Sequence, residues 1–406
     1  MATLPFDHLN AINSSAIIAL GVVWLADTRW QFKISQINKH KIILAFVLLY
    51  LLHVAGVSYS NNKDEAGLVL ERLLPLLAFP LILGTIPSFS EKNLQALLAI
   101  FVFSSLIATL ICLSYASYQY FTTGITGYFF GEPFAGILEN SAIYIAVHVG
   151  FCMFWLTDFL FKNKSILKNW QKAVLSLIII YFFGILMLLI IRMAISVVML
   201  FYIVGAVYYF FKKRQFIAGI LAILLPLFIV GSIIVSNEKI RKKFKEAVYF
   251  EESIKVGDNK DYSLGKIWGG RALRVAIWQC AADVVKENFW WGVGTGDVQD
   301  ELQKSYKKNN FLFASDYNVY NAHDQFLETQ IALGLPGLIT LIVCFLFPLI
   351  QAFRQQNYLH LAFLVFVIAN CLTESFLVRQ KGIVFFAVMS ALFLFHTTKK
   401  ELKSAR

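Results

Sequence analysis

Charge is what this 406-residue chain has least of: Asp, Glu, Lys and Arg make up 15% of it, against 58% hydrophobic residues and a mean hydropathy of +0.65. A soluble chain of this length would be expected to hold two or three domains. This one instead repeats apolar runs of about 18 to 25 residues, the length that crosses a bilayer. Those runs lack the short alternation of an outer-membrane barrel strand. Cysteine is scarce as well. Of Cys112, Cys152, Cys280, Cys344 and Cys371, only Cys280 lies in the long polar interval, so no disulfide forms within it. No Cys/His metal spacing occurs either, and the thiols read as structural. The start has no basic n-region of a cleavable signal peptide. No internal repeat suggests the inverted halves of a transporter.

What is present is a series of apolar spans near 10–26, 41–58, 67–86, 94–121, 141–161, 172–190, 194–211, 216–235, 326–350, 358–377 and 382–397. They predict an all-α polytopic integral membrane protein with eleven or twelve transmembrane helices and one large loop. The run 172–211 is too long for one helix. It divides at Ile191-Arg192, because a bare arginine at mid-membrane costs about 2.5 kcal/mol or more. Three regions result: a helix bundle over 1–235, a large polar loop over 236–325 with short helices, and C-terminal helices with a tail over 326–406.

The formal charge is +11, and its placement matters more than its size. One set of alternate loops holds Arg29, Lys33, Lys39, Lys41, Lys92, Lys162, Lys164, Lys168, Lys172, Lys212, Lys213, Arg214 and Arg354, with Lys399, Lys400, Lys403 and Arg406 in the tail. The opposite short loops hold Lys63, Arg192, Arg379 and Lys381. Positive charge collects on the cytoplasmic side, so the loop 236–325 faces outward and the C-terminus inward; eleven spans put the N-terminus outside. The charge is thereby accounted for without nucleic acid. Within the loop, Glu238 to Phe250 reads as a basic helix with Arg241, Lys242, Lys243 and Lys245, and Gly270 to Asn288 as a second helix. Recurrent aromatics, among them Trp268, Trp278, Trp290, Trp291, Phe311, Phe313, Tyr317 and Tyr320, suit a segment lying on a bilayer surface.

Arg72, Arg192 and Arg379 break the orientation rule, on the same outward side as Arg271 and Arg274. The bland readings are local: Arg72 snorkels or pairs with Glu71, and Arg379 marks a helix end. Arg192, flanked by Ile191 and Met193, has no acidic neighbour. Its planar five-donor guanidinium suits a phosphate. His323 follows Asn321, a good capping residue, and precedes a helical run beginning near Gln325. The positive end of that helix favours the neutral imidazole, as a general base requires; the plain alternative is an interfacial histidine with its tip in water. Gly292-Val293-Gly294-Thr295-Gly296 lacks the lysine and Ser/Thr of a P-loop and reads as a turn bringing backbone close to a ligand or the membrane surface. Gly334, Pro336 and Gly337 bend or start the next span. Glu328 and Glu374 stand as polar partners for the arginines.

The order Arg274-x-x-x-Trp278, Gly292 to Gly296, Asn321-x-His323-Asp324-x-x-Leu327, then Gly334-Leu335-Pro336-Gly337 resembles the O-antigen ligase/polymerase superfamily. The resemblance spans the large loop and the span after it, about a quarter of the chain. It implies a GT-C-like glycosyltransferase of the bacterial inner membrane with its active site facing the periplasm. Such an enzyme moves a glycan from an undecaprenyl diphosphate carrier to a hydroxyl, with inversion and without nucleotide, cofactor or required metal. In the ligases the acceptor is the lipid A-core oligosaccharide. The family's histidine maps to His323, its loop arginine to Arg274 or Arg271, and its hairpin arginine to Arg192. Arg271, Arg72 and Arg379 join the expected diphosphate contacts. Asp324 stands where the family often has Asn, and Ile191 precedes the hairpin arginine where a small residue is usual. The nearest competitor is an O-antigen or exopolysaccharide polymerase with a lipid-linked repeat as acceptor. A solute transporter, from another class, would place ionisable groups at the midplane rather than at one edge.

Overall fold

A computed structural model describes residues 1–86, 89–236, 238, 241, 270–316 and 318–397. Most of the basic helix expected over 238–250 lies outside the described residues, as do Trp268, Tyr317 and the tail lysines. Among the described residues, ten α-helices precede the large loop: α1 (Asn10–Ala26), α2 (Trp30–Lys39), α3 (Ile42–Tyr59), α4 (Lys63–Thr85), α5 (Glu91–Thr123), α6 (Glu132–Ala135), α7 (Ala142–Asn163), α8 (Asn169–Leu189), α9 (Arg192–Lys212) and α10 (Phe216–Ser236). The loop contributes α11 (Gly270–Glu287), α12 (Val298–Lys308) and α13 (Leu312–Ser315). The chain then closes with α14 (Gln325–Arg354), α15 (Tyr358–Cys371) and α16 (Gln380–Phe395). Among the described residues the only strands are Phe89–Ser90 and His396–Thr397, one parallel pair with Phe89 opposite His396.

The chain is an all-α polytopic membrane protein. Among the described residues, eight helices are long and apolar enough to cross a bilayer: the one that includes α1, then α3, α4, α5, α7, α8, α9 and α14. Helix α10 adds a further, largely apolar helix of 21 residues, and α15 and α16 are shorter apolar helices. Helix starts follow local chemistry. Asn62, Ser90, Asp324 and Asn357 each accept a backbone N–H from the first turn they precede, which satisfies donors that otherwise have no partner in the helix.

One expected span is cut short. The apolar run 358–377 is helical only to Cys371. Thr373, Glu374 and Ser375 follow, and short turns replace the helix there: Thr373 N–H reaches Asn370 O, and Phe376 N–H reaches Glu374 O. Irregular backbone at this depth survives only where protein satisfies its polar groups. Here Leu377 N–H donates to Gln325 Oε1 at 2.6 Å, and Thr373 O accepts from Arg274 Nε at 2.9 Å.

Helix α16 packs on α4, α14 on α3 and α15, and α7 on α8 and α15. Phe151 sits at the centre, with ring centroids 5.6 Å from Phe363 and 5.8 Å from Phe385. Lipid tails are as apolar as these side chains, so close packing rather than water exclusion holds such an interface.

The glycine motifs attach the large loop to this bundle. Gly334 interrupts α14 with φ 63°, a conformation that an L side chain resists. Into that break comes the chain around Gly292, itself at φ 71°. Val293 N–H donates to Ile331 O at 2.8 Å, Gly294 N–H to Ala332 O at 3.0 Å and Leu335 N–H to Phe289 O at 3.0 Å. Further along, Asp297 is 3% exposed. Its carboxylate accepts from Asn61 N–H and Asn62 N–H, both at 2.7 Å, in the α3–α4 turn. The close backbone approach expected of this turn is therefore to α14 and the α3–α4 turn, within the protein.

Candidate functional site

Four side chains from four separate segments meet at one end of the bundle. Arg192 is the first residue of α9, and the hairpin before it is tight: Ile190 takes φ 54° between α8 and α9, a costly conformation for a β-branched residue. The break between the two spans thus falls at Ile190-Ile191, one residue before the Ile191-Arg192 division expected. Gly270 opens α11 opposite that hairpin. A Cβ on Gly270 would lie 3.1 Å from Arg192 Nη2 and 3.8 Å from Arg274 Nη1, so the two guanidinium groups flank one point. Arg271 is exposed and sits three residues before Arg274 on α11, which puts both on one helix face.

Arg274 is held from three sides. Its Nε donates to Thr373 O at 2.9 Å, its Nη1 to Gly270 O at 3.2 Å, and its Nη2 lies 3.8 Å from Glu374 Oε2. The same Glu374 oxygen is 3.1 Å from His323 Nδ1. Both carboxylate and imidazole are mostly buried, at 17% and 20% side-chain exposure. A carboxylate only accepts, so Nδ1 carries the hydrogen, and in the neutral imidazole Nε2 then has the lone pair. His323, Glu374 and Arg274 are in this way one connected group, with the Arg192 guanidinium across Gly270 from that of Arg274.

The surroundings of His323 differ from the expectation in one respect. It lies before the helix, as expected, and takes φ 46°. The capping residue is Asp324, which accepts from Phe326 N–H and Leu327 N–H at 2.8 and 2.9 Å; Asn321 instead accepts the His323 N–H at 3.1 Å. With its oxygen engaged on the cap, Asp324 leaves the imidazole to Glu374. Burial nonetheless pushes the Asp324 carboxyl above its usual range, against the pull of those two backbone N–H groups. The loop helices fix the segment from behind: Trp278 Nε1 donates to Ala322 O at 3.1 Å and Gln299 Nε2 to Tyr320 O at 3.0 Å.

Of the two carboxylates expected beside the arginines, Glu374 is beside one. Glu328 Oε2 accepts from Ala322 N–H and Ser375 Oγ, each at 3.0 Å, and braces the loop on either side of the imidazole. Arg72 pairs with Glu65 at 3.0 Å, not with Glu71. Together with Arg379, the residue before α16, it lines a cavity of about 530 Å³, and Arg379 lines a second cavity with Glu374. In the sequence Glu374 is legible only as a partner for arginine. The available signal was a lone carboxylate in an otherwise apolar run. All five cysteines are buried free thiols. Among the described residues, no group of three or more His, Cys, Asp or Glu side chains is placed to hold a metal ion.

Fold and site together define a polytopic membrane protein with a basic, histidine-bearing cluster at one end of its helix bundle. Residues 177–342 match the family model described as O-antigen ligase, and the match supports a likeness of that segment to the O-antigen ligase/polymerase superfamily. The family's members are glycosyltransferase-like enzymes. The matched segment contains Arg192, Arg271, Arg274 and His323, while Glu374 lies beyond it. A search of curated proteins finds no match.

Proposed function

We propose that the chain is an O-antigen ligase of the bacterial inner membrane. In this reading it transfers a glycan from undecaprenyl diphosphate to a hydroxyl of the lipid A-core oligosaccharide on the periplasmic face. The observation that carries the reading is the single Glu374 oxygen shared by His323 Nδ1 and Arg274 Nη2, with Arg192 beside Arg274. It supplies a base and an anion clamp within one rigid group.

His323 Nε2 takes the proton of the acceptor hydroxyl as that oxygen attacks the anomeric carbon. The bond from that carbon to the phosphate oxygen breaks, and the electron pair leaves with the lipid diphosphate. Arg192, Arg271 and Arg274 hold the diphosphate, and the charge growing on it is stabilised by donors already in place. Glu374 keeps the imidazole in the required tautomer and stabilises the imidazolium that forms, the role the third member plays in a hydrolase triad. The sugar–phosphate bond supplies the driving force. The positive-inside count supports an outward-facing site.

Purified protein in lipid nanodiscs, given a labelled lipid-linked glycan and either core lipid or a second lipid-linked repeat, tests the assignment. Label on core lipid is the expected result; label on the second repeat assigns a polymerase instead. His323→Ala and Arg192→Ala proteins are expected to insert and fold yet leave the label on the carrier. Retained transfer by His323→Ala would remove the base role.

A further inference from the structure

The cavity beside the His323 segment has chemistry unlike that of the arginine cluster. It lies between α4, the start of α12, the start of α14 and the chain entering α16, and its volume is about 530 Å³. That is within the roughly 300–1,000 Å³ of small-ligand pockets. Asn321 and Gln325, on either side of His323 in sequence, are both in its wall. Three carboxylates (Glu65, Asp300, Glu328) face two guanidinium groups (Arg72, Arg379), so the lining does not attract a diphosphate.

Asn62 and Gln325 use both ends of their amides, and the other three amides of the wall are half used. Gln299 and Gln380 donate their NH2 groups to Tyr320 O and Ser14 Oγ, which leaves the carbonyl oxygens. Asn321 uses its oxygen on His323 N–H, which leaves its NH2. His53, another wall residue, is 8% exposed, and its Nδ1 has no hydrogen-bond partner among the described residues. A phosphate asks for donors alone and a metal cation for acceptors alone. Donors and acceptors interleaved on neutral groups match hydroxyls, each of which does both.

We infer that this cavity is a saccharide subsite, holding a neutral, hydroxyl-rich sugar unit next to the reacting centre. The inference rests on the proposed transferase reading. It adds which wall of the site reads sugar rather than phosphate. The sugar belongs either to the donor glycan or to the acceptor, and its hydroxyls are recognised in the same way in both cases.

The test is a binding measurement that needs no turnover. Saturation-transfer NMR is run on the full-length protein in nanodiscs with two free oligosaccharides. One is released by mild acid from the host's lipid-linked glycan, the other from its lipopolysaccharide. Val69→Phe fills the cavity from α4, and Leu68→Phe, on the exposed neighbouring position, is the control. Val319→Trp, at a wall position that is 72% exposed, covers the mouth should Val69→Phe not fold. Wild type and Leu68→Phe are expected to bind one oligosaccharide, and the filled variant to bind it weaker by roughly ten-fold or more. The sugar that binds names its source. No binding of either sugar by wild type, or equal binding by filled and control variants, overturns the subsite. Loss of transfer activity in wild type, by contrast, would count against the transferase reading and leave this measurement standing on its own.

Discussion

Glu374→Gln is the change that separates a catalytic group from a merely polar loop. Glutamine keeps the volume of the side chain and its ability to reach Nδ1. If its NH2 faces the ring, the hydrogen moves to Nε2 and the base is lost. If its oxygen faces the ring, the tautomer survives but the charge opposing a newly formed imidazolium is gone. A unit charge at the 3.1 Å seen here is worth about 5 kcal/mol at an effective dielectric of 20, and the partial exposure of both groups lowers that ceiling. Since each 1.36 kcal/mol is ten-fold in rate, kcat is expected to fall by roughly 10² to 10⁴, the usual range for general-base catalysis. The donor KM should behave differently. Arg274 loses a counter-charge 3.8 Å away and meets the diphosphate less compensated, so KM stays level or drops. Initial rates of label transfer in nanodiscs, with donor and acceptor varied separately, read both constants. A kcat within about three-fold of wild type, or a rise in donor KM as the main effect, would refute the positioning role.

Gly334→Ala should lower the apparent melting temperature and loosen the loop. It forces an L side chain to φ 63° and drives a Cβ into the Trp290 backbone, for which about 1–3 kcal/mol of strain is expected; an unchanged melting curve would contradict the docking described. Asp297→Ala leaves two backbone N–H groups of the α3–α4 turn without their acceptor, at a cost of about 1–3 kcal/mol, and faster proteolysis near residues 288–300 should report it. Asp324→Asn keeps the cap but removes a buried charge. Burial raises the folded-state value of Asp324, so its contribution is fully present below the unfolded value of about 3.9 and is lost as pH rises through the folded value. The melting-temperature advantage of Asp324→Asn should therefore grow from about pH 4 upward and then level off; the opposite trend would sink the assignment.

Much of the fold could be read because membrane helices declare themselves one at a time. An apolar run of sufficient length has few alternatives in a bilayer, and Arg192 marked a chain reversal because no helix carries a bare guanidinium through the hydrocarbon. The end of α15 could not be read this way. Residues 372–378 are apolar enough to continue a span, and their unwinding depends on Arg274 and Gln325, which take up the freed backbone groups from other segments. The site was legible to the same degree. His323, Arg192 and Arg274 stood out by residue type and position. That Glu374 rather than Asp324 faces the imidazole depends on a left-handed turn at His323 and on Asp324 being used as a helix cap, neither of which hydropathy records.

The glycine motifs carry the same lesson further. Read alone, Gly292 to Gly296 invites a ligand, because glycine lets backbone approach closely. In the fold, the approach is to Ile331 and Ala332 of α14 and to the α3–α4 turn. Gly334 supplies the matching gap. Arg274 and His323 belong to stretches on either side of that junction, and α11 reaches the bundle partly through it. A loop anchored at two glycine breaks carries α11, and with it Arg274, to a fixed height against α14, the helix that follows His323. Enlarging either glycine should therefore disturb the distance between arginine and imidazole before it disturbs affinity for any lipid.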